Sequence, residues 1–193
     1  NGIDGETLNE NRKYNSAGVY TDEFGVTRYY DNETDNYNQD HYQLHWNESL
    51  SDKWSTNFAL HYTKGKGYFE NYKEDSDMAE YGLNSVGAVT TTDLIRQKWL
   101  DNDFYGGVFS LNYISDDSKL DAVLGGGINR YDGDHFGEII WMQYADNVNI
   151  RDRYYDNNAV KDDRNIYLKG TYEASEGLFL FGDLQYRGVD YRF

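Results

Sequence analysis

Apolar and polar residues alternate with a period of two along most of residues 37–193, the pattern of strands whose two faces meet different surroundings. The clearest stretch runs from Trp99 to Trp141. There Tyr105, Gly107, Phe109, Leu111 and Tyr113 alternate with Gly106, Val108, Ser110 and Asn112, and Leu120, Ala122, Leu124, Gly126 and Ile128 resume the pattern after the polar turn SDDSK. The spacing predicts a tall antiparallel hairpin with Ser115–Ser118 as the loop and Ile114 facing Lys119. A loop one residue longer would set Ser110 opposite Leu124 and mix the faces.

Two further hairpins follow the same rule. Tyr42, Leu44, Trp46 and Leu50 share a face opposed to His41, Gln43, His45 and Asn47, with Glu48 the exception. After the turn Ser51, Asp52, Lys53, the apolar face continues through Trp54, Phe58, Leu60 and Tyr62, while Ser55, Asn57, Ala59, His61 and Thr63 take the other. Ile166, Leu168 and Tyr172 lead through the turn SEG to Leu178, Leu180, Leu184 and Tyr186, a register that sets Lys169 opposite Asp183 as an ion pair.

The short turns fall near residues 52, 117 and 176, and long polar connections, 73–94 and 143–164, lie between them. Residues 1–36 read as a long surface loop holding a small hairpin that turns near Glu23 to Gly25. The expected fold is all-β: an antiparallel up-and-down meander of six long strands. All short turns then gather at one end and all long loops at the other, the asymmetry of a section of a large transmembrane β-barrel with residues 1–36 as an extracellular loop.

Composition changes this picture in one direction. Mean hydropathy is −0.90 although 17% of residues are aromatic and 20 are Tyr, so the apolar surface is mostly aromatic with polar tips, which suits a boundary between oil and water. A net charge of −16 excludes nucleic acid as an expected partner, because phosphates demand a basic footprint. Without Cys there is no disulfide, thiolate metal site or thiol nucleophile. The start shows no secretion-signal pattern, and no segment reaches the ~18 consecutive apolar residues of a spanning helix, a measure to which barrel strands are invisible.

The segments WLDNDFYGGVFSLNY, GGGINRYDGDHFGEIIW and LFGDLQYRGVDYRF resemble barrel segments of TonB-dependent outer-membrane receptors of Bacteroides-like bacteria, a likeness covering about residues 37–193. The resemblance implies a bacterial outer-membrane receptor and transporter that captures a scarce siderophore, cobalamin or glycan and imports it with energy delivered through TonB. It implies outer-membrane lipid around the barrel and no enzymatic activity or cofactor. The family's plug domain and TonB-contacting box have no counterpart in residues 1–193, and six strands are far fewer than such a barrel uses, so the chain reads as an internal barrel fragment. Isolated, such a fragment is expected to self-associate through open edges at Tyr37 and Phe193. The alternative reading is a secreted carbohydrate-binding or adhesive β-module that buries its apolar face in a sandwich.

Ligand contact is expected where the long loops gather. Tyr68, Tyr72, Tyr81, Asp132, His135, Trp141, Tyr144, Tyr154 and Tyr155 form a candidate rim, since aromatic faces beside carboxylates and amides stack on sugars or siderophore rings. Across the Ser51–Lys53 turn, His61 sits diagonal to His41 and His45, three imidazoles of the kind that hold a transition metal, though on a polar lumen wall they need hold none. The Asp-rich pieces DND, YDGDH and KEDSD lack the calcium-loop run. Asp132, Asp134 and Glu138 have no pairing that fixes a glycosidase separation, and Gly125, Gly126 and Gly127 lie inside a strand with no helix after them.

Overall fold

A computed structural model describes residues 4–12, 18–33, 35–144, 146 and 148–193. Two clusters of contacts divide the chain: unit 1 comprises residues 1–38, 66–100 and 134–157, and unit 2 comprises 39–65, 101–133 and 158–193. The alternation produces strands as expected. A six-stranded sheet takes the order β3 (Asp35–Ser49), β4 (Trp54–Asp77), β5 (Thr91–Ile114), β6 (Leu120–Met142), β7 (Arg153–Ser175) and β8 (Leu178–Arg192). Each strand pairs only with its neighbours in sequence, so the sheet is an antiparallel meander, and β3 and β8 are not joined.

Unit 2 holds the short turns. Leu50 N–H donates to the Trp54 carbonyl across Ser51–Lys53, the expected closure. Between β7 and β8, Lys169 lies opposite Asp183 as predicted, and the register runs unbroken from Val160↔Arg192 to Glu173↔Phe179 before a bulge; Gly177, at φ +76°, makes the turn. The Lys169 ammonium approaches the Tyr167 ring, 5.9 Å from its centroid, rather than forming the expected ion pair. The β5–β6 turn differs from the expected one. Ser115 N–H donates to the Leu120 carbonyl at 2.9 Å, so Ser115 and not Tyr113 lies opposite Leu120, with Ser118 in the left-handed region at φ 57°. A slip of two residues returns every side chain to its own face, so alternation cannot detect it.

Unit 1 holds the longer connections, and both are shorter than the sequence suggests. The 73–94 connection shrinks to 78–90 and the 143–164 connection to 143–152, because β4, β5 and β7 run on through residues polar on both faces. The first connection opens with a single 3-10 turn, Met78–Tyr81, capped by the Asp77 side chain and ended by Gly82 at φ +67°. Met78, Tyr81 and Leu83 pack with Leu94, Ile139 and Met142 into an apolar core. Within the expected 1–36 loop, residues 1–3, 13–17 and 34 lie outside the described set. The rest contains helix α1 (Gly5–Glu10), with Asp4 capping Thr7 N–H, and the expected hairpin, β1 (Val19–Thr21) against β2 (Thr27–Tyr29). Asp22 accepts from the N–H groups of Phe24 and Val26 in its turn. No helix among the described residues is long and apolar enough to cross a membrane, which says nothing of strands.

Candidate functional site

In unit 1, alternate positions of β4 carry Tyr68, Glu70 and Tyr72, and β5 supplies Asp93, Gln97 and Trp99. Glu70, only 4% exposed, accepts from Tyr30 on one oxygen and from Gln97 Nε2 on the other. Trp99 Nε1 donates to Gln97 Oε1 at 3.1 Å. Burial pushes the Glu70 carboxyl up, but hydrogen bonds from Gln97, Tyr30 and Asn32 outweigh it, and the group ends below its ordinary value. Tyr72 donates to Asp93 Oδ2 at 2.5 Å, and burial followed by that bond holds its phenol above the usual range.

The rings form continuous contacts. Tyr72 lies 4.5 Å from Tyr20 and stacks on Trp141 at 6.3 Å. Tyr68 meets Trp99 at 4.6 Å, and Trp99 lies nearly parallel to Phe136 at 5.8 Å, with the Arg153 guanidinium 3.6 Å from the Phe136 centroid. A second group joins Tyr81, Tyr154 and Tyr155, at 4.9 and 5.0 Å, beside Arg96, whose Nη1 donates to the Tyr81 hydroxyl. Burial raises the Tyr154 phenol to about 12.

Eight of the nine predicted rim residues therefore belong to unit 1: Tyr68, Tyr72, Tyr81, His135, Trp141, Tyr144, Tyr154 and Tyr155. Asp132 falls in unit 2, where it accepts from Asn158. Their roles divide. Tyr81 belongs to the core and Tyr154 packs against it, so both are structural first. Trp141 and Tyr144 remain exposed, at 43% and 42%, and Tyr144 is held by its backbone N–H on the Thr92 hydroxyl. Sequence reasoning missed Glu70, Asp93, Arg96 and Gln97, although Glu70 shares the alternation of Tyr68 and Tyr72.

The three histidines of unit 2 do not converge. His41 Nδ1 meets Thr63 Oγ1 at 2.9 Å, His45 Nε2 meets Gln43, and His61 Nε2 meets Asn129 on β6 at 2.8 Å. Each imidazole has its own polar partner, and no group of three or more His, Asp or Glu among the described residues is placed to hold a metal.

The opposite alternation in unit 2 is apolar and uncovered. From Trp54 to Tyr62, Tyr105 to Tyr113 and Leu120 to Ile128, nine residues each, the outward positions carry no charge. Trp54, Phe58, Leu60, Tyr62, Tyr105 and Phe109 are all exposed, as are Leu124 and Ile128. Aromatic residues mark both ends, with Trp54 against Tyr113 at 4.6 Å near the turns and Tyr42 stacked on Tyr62 at 6.0 Å at the other. No family model and no curated protein matches this chain.

Proposed function

We propose that this chain is a section of the β-barrel of a TonB-dependent outer-membrane receptor, taking up a scarce siderophore, cobalamin or glycan. The observation that carries the reading is the uncovered nine-residue apolar row with aromatic residues at either end. About nine to eleven tilted residues carry a strand across the hydrocarbon layer, and aromatic girdles flank the lipid-facing band of such barrels. The opposite face, with His41, Gln43, Asn57, His61 and Asn112, has the polar character of a lumen wall. Unit 1 supplies the part that meets the ligand, through stacked rings beside carboxylates. The role is transport and not catalysis; the partners are outer-membrane lipid, the ligand and TonB.

Fluorescence tests the membrane part. Trp46 and Trp54 lie on the apolar rows and Trp99 and Trp141 in unit 1. In vesicles of brominated phosphatidylcholine, the emission of the first pair should be quenched and that of the second retained, read on single-Trp variants. Equal quenching of all four sinks the barrel reading. The transport part is tested in cells: uptake from a panel of ferric siderophores, cobalamin and oligosaccharides should include one ligand whose import needs both this gene and the proton-motive force.

A further inference from the structure

The apolar face of unit 2 is not uniform. A groove of about 600 Å³ opens in it, walled by Phe58, Phe109, Ile128, Ile166 and Tyr186. Its floor includes backbone at Gly107 and Gly127, and Gly107, which belongs to this alternation, has no side chain to cover it. Arg164 is the charged member of the lining. Its stem runs over Gly188, the residue opposite it on β8, with Cγ within 3.6 Å of where a Cβ at that glycine would stand.

Beside this head lies a belt of charge on the same alternation. Arg164 pairs with Asp190 at 2.5 Å, Arg192 with Asp162 at 2.9 Å, and Arg130, two residues beyond Ile128, reaches the same Asp162 only at 3.8 Å. Three guanidiniums thus share two carboxylates on a chain whose overall charge is −16. Arg130 Nε is buried without a hydrogen-bond partner. Arg164 is well exposed, at 61% of its side chain.

We propose that this groove and its arginines form a site for one membrane lipid with an anionic phosphate head, the acyl chain lying along the glycine floor and the phosphate on Arg164 and Arg130. An apolar slot ending in excess guanidinium is complementary to that amphiphile and not to a neutral one, because guanidinium grips phosphate oxygens two at a time. The site rests on the membrane reading above.

The experiment uses full-length protein in neutral detergent, with native mass spectrometry counting retained dimyristoyl phosphatidic acid against dimyristoyl phosphatidylcholine. The phosphatidic acid should be retained about tenfold better, a preference of the size a charge-assisted contact supplies. The double substitution Arg130→Gln and Arg164→Gln should bring the ratio to about one, while Arg187→Gln, whose partner Asp163 lies on the other alternation, should leave it unchanged. Equal retention of the two lipids by the unaltered protein overturns the proposal, as does a preference that survives the double substitution. Quenching of Trp46 and Trp54 by brominated phosphatidylcholine is read on each variant as the check of folding. Quenching without a head-group preference defeats the lipid site alone; loss of quenching in the unaltered protein defeats the membrane reading and the site with it.

Discussion

Within β4 the same alternate positions meet two different fates. From Trp54 to Tyr62 in unit 2 they include Trp54, Phe58, Leu60 and Tyr62, all exposed, with Thr56 bonded to the Ser110 carbonyl and the Tyr62 hydroxyl to Asp103 before the row ends in Lys64, paired with Asp101 and Asp103. In unit 1 they are Tyr68, Glu70 and Tyr72, and the last two carry paired hydrogen bonds to β2's neighbour Tyr30 and to β5. Seven of the eight buried apolar residues among those described, Met78, Tyr81, Leu83, Leu94, Phe136, Ile139 and Met142, lie in unit 1; only Ala159 lies in unit 2. One strand therefore carries two kinds of surface. Unit 1 is held by an apolar core and by hydrogen-bonded groups such as Glu70 and Tyr72, whereas unit 2 leaves its greasy side exposed.

The largest expected effect breaks this contrast directly. Phe109→Arg should cost about 2–4 kcal/mol of stability in lipid vesicles, measured by urea unfolding, because it sets a charge at mid-row on the face proposed to meet lipid. Tyr144→Arg, at similar exposure in unit 1, should stay within about 0.5 kcal/mol. Equal tolerance at both positions would show that unit 2 faces water.

Next comes Glu70→Ala, expected to cost about 2 kcal/mol at pH 7, since it strands the Tyr30 hydroxyl and the Gln97 amide. The folded carboxyl titrates below its ordinary value of 4.5, so its contribution is present above that pH and lost as pH falls further. The difference between variant and parent should accordingly shrink in acid unfolding curves below about pH 4.5.

Alkali should act on unit 1 through its tyrosines. Tyr30, Tyr72 and Tyr154 all ionise later folded than unfolded, where the ordinary value is 10.0. The unfolded chain then binds fewer protons, so stability falls as pH rises above 10. Absorbance at 295 nm should show Tyr154 ionising near 12, and Tyr154→Phe should remove that step. The smallest stability effect is expected at the exposed pair: Trp141→Ala with Tyr144→Ala should leave urea unfolding within about 0.5 kcal/mol of the parent.

Alternation made unit 2 legible. The SEG turn and the row Ile166, Leu168, Tyr172 set the β7–β8 register residue by residue, because any odd slip would have turned Leu180 and Leu184 to the polar face. The β5–β6 slip escaped because it is even. Unit 1 was harder to read, since Lys73, Glu74, Asp75 and Thr91 are polar on both faces and look like loop until hydrogen bonds such as Asp75 N–H to Asp93 are known. The rim tyrosines were visible as residue types, but Glu70 and Asp93 acquire their roles only from partners 27 and 18 positions away. His61 looked like a companion of His41 and His45 on two strands; a third strand brought Asn129 to it.

Pairing between sequence neighbours alone has a further consequence, for how such a chain changes over generations. Each long strand of the sheet pairs with its sequence neighbours, so the segments 78–90 and 143–152 each join one hairpin, with Gln143 and Tyr144 bonded back to Asp93 and Thr92. Doubling the length of a flexible loop costs only about 0.6 kcal/mol in closure entropy. Insertions and replacements there are nearly free for the sheet, provided that Met78, Tyr81 and Leu83 keep their seats against Leu94 and Ile139. A lineage carrying this scaffold is thus able to rewrite two short stretches of sequence while leaving the strand order and its registers untouched.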